Sequence, residues 1–319
     1  MQPKSGTTVG RPDLGAIAYE YLLEASQRGF IGLEIFPIFD VTEQSAQYPI
    51  IPLEALLKVP DTSRAPRGAY NRGDWEFEMG NYACRENGWE EPVDDSEANL
   101  YRRYFDAEEV ATRRAVDILL RSQEIRCAGK AFSTAALPDS AVGVAWSTAA
   151  TATPRADVST AKTNMRNSSG LEPNVIAMSK ATFDALLLTK EIMDVFRYTN
   201  PIEIGGFEAQ RRIMAMYFGV DRILVGNAIR DTAKKGKDAV IADIWNKNVV
   251  GLFTVGGGPD LRQPVLGRTF LWTAESPQNL TTESYREEKR RSNIYRVRQH
   301  TDEAYVFTGA GYLLTGVNP

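Results

Sequence analysis

The chain is poor in the residues on which most chemistry at neutral pH relies. Among 319 residues there are two cysteines and one histidine. Cys84 and Cys127 lie far apart, without partners at metal-ligand spacing, so neither a zinc site nor a disulfide framework is expected. A single histidine disfavours a Ser-His-Asp relay or a multi-histidine metal centre. Its setting, RVRQHTDEAY, reads as an exposed strand edge, and His300 as a polar surface group. No unbroken apolar span of bilayer length occurs. The stretch poorest in charge, 131–154, is built of Ala, Ser and Thr and contains Pro138 and Asp139. The opening MQPKSGTTVGRPDLG has no apolar segment after its basic residues, so a secretory signal is not expected and it reads as a mobile arm. Positive charge is not in excess either. A net charge of −4 argues against a protein that grips nucleic acid by neutralising phosphates. Gly256, Gly257 and Gly258 lack a following helix and a Lys-Ser or Lys-Thr pair, so they read as a linker, and no cofactor is expected.

What is present is 43% hydrophobic and 24% charged residues, enough for a substantial core in one or two compact units. Leu14, Ile17, Ala18, Tyr21 and Leu22 recur at helical spacing and predict a short helix over 14–23. Pro37, Pro49 and Pro52 then break the chain into an extended, wrapping segment. Trp75, Phe77 and Met79 alternate with acids, the period of a half-buried strand whose partner is expected at 53–59. Between the two lies PDTSRAPRGAYNRG, longer than a tight turn and carrying Arg64, Arg67 and Arg72. These features together read as a long two-stranded finger with a basic tip that must find an acidic partner, because an isolated ribbon is only marginally stable.

After Asp94 or Asp95 as a cap, an apolar stripe of Leu100, Tyr104, Ala111, Ala115, Ile118 and Ile125 predicts one helix over 96–127, about 48 Å long, with a solvated charged face. Cys127 reads as a small buried hydrophobe. A weaker helix is expected over 155–167, stopped by Gly170. LEPNVIAMSKATFDALLLTKEIMDVFRYTN then predicts a strand at 175–178, a helix capped by Ser179 and another capped by Thr189. The helix of FEAQRRIMAMYFGV closes at Gly219 before the strand in DRILVGNAI, so the region reads as an α/β unit. RDTAKKGKDA reads as a charged loop, and GRTFLWTAE, SNIYRVRQH, EAYVFTGA and GYLLTGV as closing strands.

This order of parts resembles the major capsid proteins of tailed bacteriophages with the Hong Kong 97-like fold. The segments that carry the resemblance are APRGAYNRGDWEFEMGNYACRENGWEEPVDD, LEPNVIAMSKATFDAL, YFGVDRILVGNAIRDTAKKG, IWNKNVVGLF and YREEKRRSNIYRVRQHTDEAYV, which together touch most of the chain from Phe36 onward. The resemblance implies an α+β chain with an N-terminal arm (1–45), an extended loop (46–88), a peripheral domain with its spine helix (89–172 and 256–319) and an α/β axial domain (173–255). It implies self-assembly through hexamers and pentamers into an icosahedral head around double-stranded DNA, held without sequence specificity. It also implies portal, scaffold and decoration proteins as partners, no membrane, synthesis in the bacterial cytoplasm and residence in the virion. Trp75 and Phe77 would supply buried area between chains, and Arg64, Arg67 and Arg72 would pair with acids on a neighbour. The chain departs from some relatives. About 30 residues precede the wrapping arm, which is short for a scaffolding segment of the same chain, and Lys58 has no argued acceptor for a covalent link. Two other readings stand beside this one: an encapsulin-like shell around a cargo enzyme, and a hydrolase using Glu90 with Glu91 or Asp94 with Asp95.

Overall fold

The computed structural model describes residues 9–10, 29–64, 66–73, 77–101, 106–198, 206–258 and 261–319. In chain order the elements are β1 (Val9–Gly10), α1 (Gly32–Ile35), β2 (Ile38–Val41), β3 (Ser45–Ile50), α2 (Leu53–Leu57), β4 (Glu78–Ala83), β5 (Arg85–Asp94), α3 (Asp95–Tyr101) and α4 (Ala107–Ala131). There follow β6 (Asp139–Ala141), α5 (Pro154–Ser169), β7 (Val175–Ser179), α6 (Lys180–Leu187), α7 (Lys190–Tyr198), α8 (Phe207–Phe218), β8 (Arg222–Gly226), β9 (Ile229–Asp231), β10 (Ile241–Asp243) and β11 (Val249–Phe253). The last strands are β12 (Gly267–Trp272), β13 (Thr281–Glu287), β14 (Ser292–Tyr305) and β15 (Gly311–Thr315). The helix expected over 14–23 lies outside the described residues. No described helix is long and apolar enough to cross a membrane.

The α/β unit is a mixed sheet in the order β6-β15-β11-β7-β8. Its central strands are buried on both faces, which is why VIAMS and VVGLF read as continuous apolar runs. Ile176, Met178, Val250 and Leu252 face one way, against Met165 of α5, Phe183 of α6 and Phe218 of α8. Val175, Ala177, Val249 and Phe253 face the other, against Cys127, Ala128 and Ala131 of α4. Three of the local stop and start signals act as expected, whereas the Thr189 hydroxyl, expected to cap the next helix, donates back to Leu186 O at 2.7 Å. Ser179 accepts the Thr182 amide at 3.2 Å, and Gly170 and Gly219 end their helices at φ 70° and 62°, where a side chain would be strained. GYLLTGV, expected among the closing strands of the other sheet, instead supplies β15, between β6 and β11. The charged loop at 232–240 is the tip of a small β9–β10 ribbon.

The second sheet is organised on β14, one strand of 14 residues where two had been expected. It pairs with β5 along one edge and with β13 and then β12 along the other; β1 and β2 extend it. His300 is therefore not on an edge. It is 5% exposed, its Nδ1 is 2.9 Å from Ser276 Oγ, and it stands edge-on to Trp272.

The expected continuous spine helix is interrupted. Asp106 is extended (φ −82°, ψ 112°), its side chain accepts the Glu108 amide at 3.0 Å, and α4 starts afresh there. The stripe also turns. Ala111 and Ala115 are buried as expected, but Leu100 is exposed, and the buried face continues through Leu119, Leu120, Gln123, Glu124 and Cys127 instead of Ile118 and Ile125. Tyr104 lies outside the described residues. Leu119 and Leu120 pack with Val297 of the second sheet, while the last turns pack on the α/β sheet, so α4 joins the two halves.

Candidate functional site

β3 and β4 form a two-stranded ribbon in the register Ala46↔Tyr82, Tyr48↔Gly80, Ile50↔Glu78. The expected partner at 53–59 is instead the short helix α2, and the true partner strand contains Pro49, tolerated because a two-stranded ribbon has free edges. Long-range packing decides the pairing. Tyr82 stacks on Phe270 with ring centroids 4.5 Å apart and planes 11° apart, Tyr48 sits 5.6 Å from the same ring, and Tyr48 Oη donates to Tyr305 O at 3.1 Å. Gly80 allows this, since a Cβ there would fall 2.5 Å from the Tyr48 ring. Cys84 completes the anchor, its thiol pushed up to about 11, first by burial and then by the Asp302 charge.

Beyond the anchored base, most of the described residues at 51–53, 56–64, 66–73 and 77 face solvent. Ile51, Leu56, Leu57, Val59, Tyr70 and Phe77 are exposed, Val59 to 88%, and Met79 follows at 65%. Exposed apolar residues scattered singly are ordinary; here they are gathered in one segment. The tip is shaped by its own bonds. Asp61 accepts the Ser63 amide and hydroxyl at 2.8 and 2.9 Å, which holds its carboxyl below the usual range, and Asn71 Nδ2 donates to Asp61 O. Arg64 Nε donates to Gly68 O at 2.7 Å and its guanidinium lies 4.7 Å from the Tyr70 ring centre. Arg67 adopts φ 69°.

Of the residues singled out from the sequence, Arg64 is thus spent on shaping the tip. Arg67 and Arg72 are exposed and meet no carboxylate among the described residues, and Phe77 is exposed next to the start of β4. Trp75 lies outside the described residues. Sequence reasoning missed a cavity of about 480 Å³ at the root of this segment, lined from the ribbon side by Ile51, Leu53, Leu56 and Phe77 and from the body by Leu171, Leu261, Pro264 and Phe307. The signal that could have found it is the Leu56-Leu57 pair set between Pro52 and Pro60.

The acidic pairs do not converge. Glu90 and Glu91 point to opposite faces of β5: Glu90 meets Arg296 at 3.6 Å and Tyr285 Oη at 3.2 Å, and Glu91 accepts Trp89 Nε1 at 2.8 Å and meets Arg114 at 3.2 Å. Asp94 accepts the Ser96 amide, whereas Asp95 takes both arms of Arg286, whose hydrogen bonds hold its carboxyl low. Each carboxylate has its own partner, and no two of them share a site where one could give and the other take a proton.

No family model matches the chain, and no curated protein matches it by sequence. Solved structures match it over nearly its whole length. A phage-related protein from Bordetella bronchiseptica RB50 is 22% identical, with a TM-score of 0.71 over 97% of this chain and 98% of that one. The putative capsid protein of a prophage from E. coli CFT073 is 9% identical, with a TM-score of 0.56 over 97% and 99%. The SrpI encapsulin of Synechococcus elongatus PCC 7942 is 12% identical, with a TM-score of 0.55 over 90% and 86%. At this level of identity the likeness bears on the fold, and it agrees with the resemblance read from the sequence: the chain has the mixed α+β fold of phage capsid proteins.

Proposed function

We propose that this chain is the major capsid protein of a tailed bacteriophage, which assembles through hexamers and pentamers into an icosahedral head around double-stranded DNA and acts structurally, not as an enzyme. The observation that carries this reading is the set of exposed apolar side chains among the described residues between Ile51 and Met79, beyond a ribbon whose base Tyr48 and Tyr82 anchor on Phe270. A segment so thin cannot bury its own apolar surface and gains stability by lying on an adjacent copy. In this reading 46–88 is the extended loop, 1–45 the arm, and 89–172 with 256–319 the peripheral domain. The unit that meets its copies around the symmetry axes is 173–255, its sheet completed by β6 and β15. One face meets a different face of the next copy, a heterologous contact that closes into rings and a shell. Arg67 and Arg72 pair with acids of the neighbour, and Trp75 and Phe77 add buried area. A net charge of −4 supports loose contact with packaged DNA. Portal, scaffold and decoration proteins are the remaining partners, and the virion, made in a bacterial cytoplasm, is the location.

Negative-stain microscopy of the expressed chain tests this: closed shells or tubes of uniform width are expected, and a persistent monomer under all conditions overturns it. Arg67→Glu is expected to lower shell yield steeply, because a deficit of about 1 kcal/mol per contact recurs at every subunit; unchanged yield removes the tip contact from the proposal. The second reading, an encapsulin-like shell, is supported by a likeness to the encapsulin close to that with the prophage capsid protein, at TM-scores of 0.55 and 0.56. A cargo-enzyme gene beside this one, in place of portal and terminase genes, would select it.

A further inference from the structure

We infer that the tip of the β9–β10 ribbon is where this chain touches the phosphate backbone of double-stranded DNA; this rests on the proposal that the shell encloses such DNA. The ribbon leaves the α/β sheet after β8. Its strands pair in the register Ile229↔Asp243, Arg230↔Ala242 and Asp231↔Ile241, and every residue from 234 to 241 is exposed. The base is tied down. Ile244 N donates to Ala228 O at 2.9 Å, and Arg121 of α4, which also holds Asp117 at 2.7 Å, donates to Ile229 O. The tip is shaped by its own backbone. Asp231 accepts the Ala233 and Val240 amides at 2.8 Å each, Lys237 N donates to Lys234 O at 3.1 Å, and Gly236 turns the chain at φ 83°.

Charge points to the partner. Many cations of the body have found a carboxylate: Arg113 meets Glu109 at 2.7 Å, Arg126 meets Glu303 at 2.9 Å and Arg298 meets Glu283 at 3.0 Å. In the ribbon, Arg230, Lys234, Lys235 and Lys237 meet none among the described residues. Asp231 is spent on the two amides, which leaves Asp238 as the one further acid in TAKKGKDAV. Residues 233–239 carry no apolar side chain larger than alanine, so the tip cannot bury the area that a contact with another protein needs. Lysine is depleted from interfaces between proteins, whereas surfaces that meet nucleic acid are strongly positive. The extended loop differs on this point, since its Arg67 and Arg72 stand among exposed apolar side chains. Lysine is a hydrated point charge on a flexible stem, so it holds phosphate without a fixed geometry and without reading sequence. With a net charge of −4 over the whole chain, such a contact stays local and weak, and the DNA can slide across it.

Fluorescence anisotropy of two labelled DNA duplexes of unrelated sequence, with the chain kept dilute enough to stay unassembled and salt raised from about 50 to about 200 mM, tests the inference. The wild type is expected to bind both duplexes alike. K234Q/K235Q/K237Q should bind at least tenfold more weakly, and its slope of log affinity against log salt should be shallower by nearly 3, at about 0.9 for each lost phosphate contact. K234R/K235R/K237R keeps the charges and should keep the slope. The glutamine variant should still form shells in wild-type yield. Unchanged affinity and slope in that variant overturn the inference, as does a wild type that prefers one duplex more than tenfold. A glutamine variant that keeps its DNA affinity but no longer forms shells also overturns it, by making the tip a contact between copies. A wild type whose DNA binding behaves as expected but which never forms shells leaves the lysine contact standing and sinks the functional reading.

Discussion

Glu124→Gln keeps a side chain's shape while removing its charge, at a point where three segments meet. The Glu124 carboxylate is buried, accepting the Ile31 amide at 2.8 Å, the Gly32 amide at 2.9 Å and Trp245 Nε1 at 2.7 Å. It ties the entry to α1 and a loop of the α/β unit to α4. Burial pushes its pKa up from 4.5 to about 7; the three hydrogen bonds pull against burial, and the charge of Glu34 adds to it. The folded chain therefore keeps a proton that the unfolded chain releases. The associated stability is fully present below about pH 4.5 and is lost as pH rises through about 7, in total about 3 kcal/mol at about 1.4 kcal/mol per unit. Glutamine does not titrate, and it turns an amide N–H towards the Gly32 N–H, at a cost of about 1–3 kcal/mol at every pH. Urea unfolding of the unassembled chain should find the variant weaker near pH 5 and close to the wild type near pH 8. A gap that does not change with pH refutes the burial argument. One that widens as pH rises shows that the three donors outweigh desolvation.

Asp106→Ala removes the cap that restarts α4 and should cost about 1 kcal/mol, read as a lower thermal midpoint with no loss of helix signal. Gly80→Ala puts a methyl group into the Tyr48 ring; a cost of about 1–3 kcal/mol and faster proteolysis within 51–77 are expected, and wild-type stability would show that the ribbon is not anchored there. Cys84 and Cys127 are buried with thiols raised by desolvation, so a thiol reagent near pH 8 should label neither in the folded chain and both in denaturant.

What the sequence discloses here is what local chemistry decides. Ser179, Gly170 and Gly219 bound their helices because a cap or a left-handed residue acts within one turn. The two-sided burial of β7 and β11 shows directly as unbroken apolar runs. Pairing across long loops is not local. The segment at 53–59 is more apolar than Ser45–Ile50, yet Tyr48 and Tyr82 choose each other's strands because both reach Phe270, nearly 190 positions or more away in the chain. The face of α4 was misjudged for a related reason: the apolar stripe was drawn through Ile118 and Ile125 and left out Glu124, whose buried carboxylate is made acceptable by donors from the distant Ile31, Gly32 and Trp245. His300 looks like an edge residue until β5 and β12 are seen on either side of its strand. At the ribbon tip the arginines were legible as a cluster, but the turn that turns Arg64 inward on Gly68 and Tyr70 was not.

The place of β15 bears on how the sheet closes. β15, the last described strand in chain order, is not an edge addition to the α/β sheet: it lies between β6 and β11, so Leu313 and Leu314 fill opposite faces of a layer whose other central strands come earlier in the chain. Until they arrive, the gap leaves β11 unpaired on one side and β6 with no neighbour in the sheet. The α/β sheet of this chain therefore closes only once residue 315 is in place, because β15 is the one neighbour that β6 and the outer side of β11 have among the described strands.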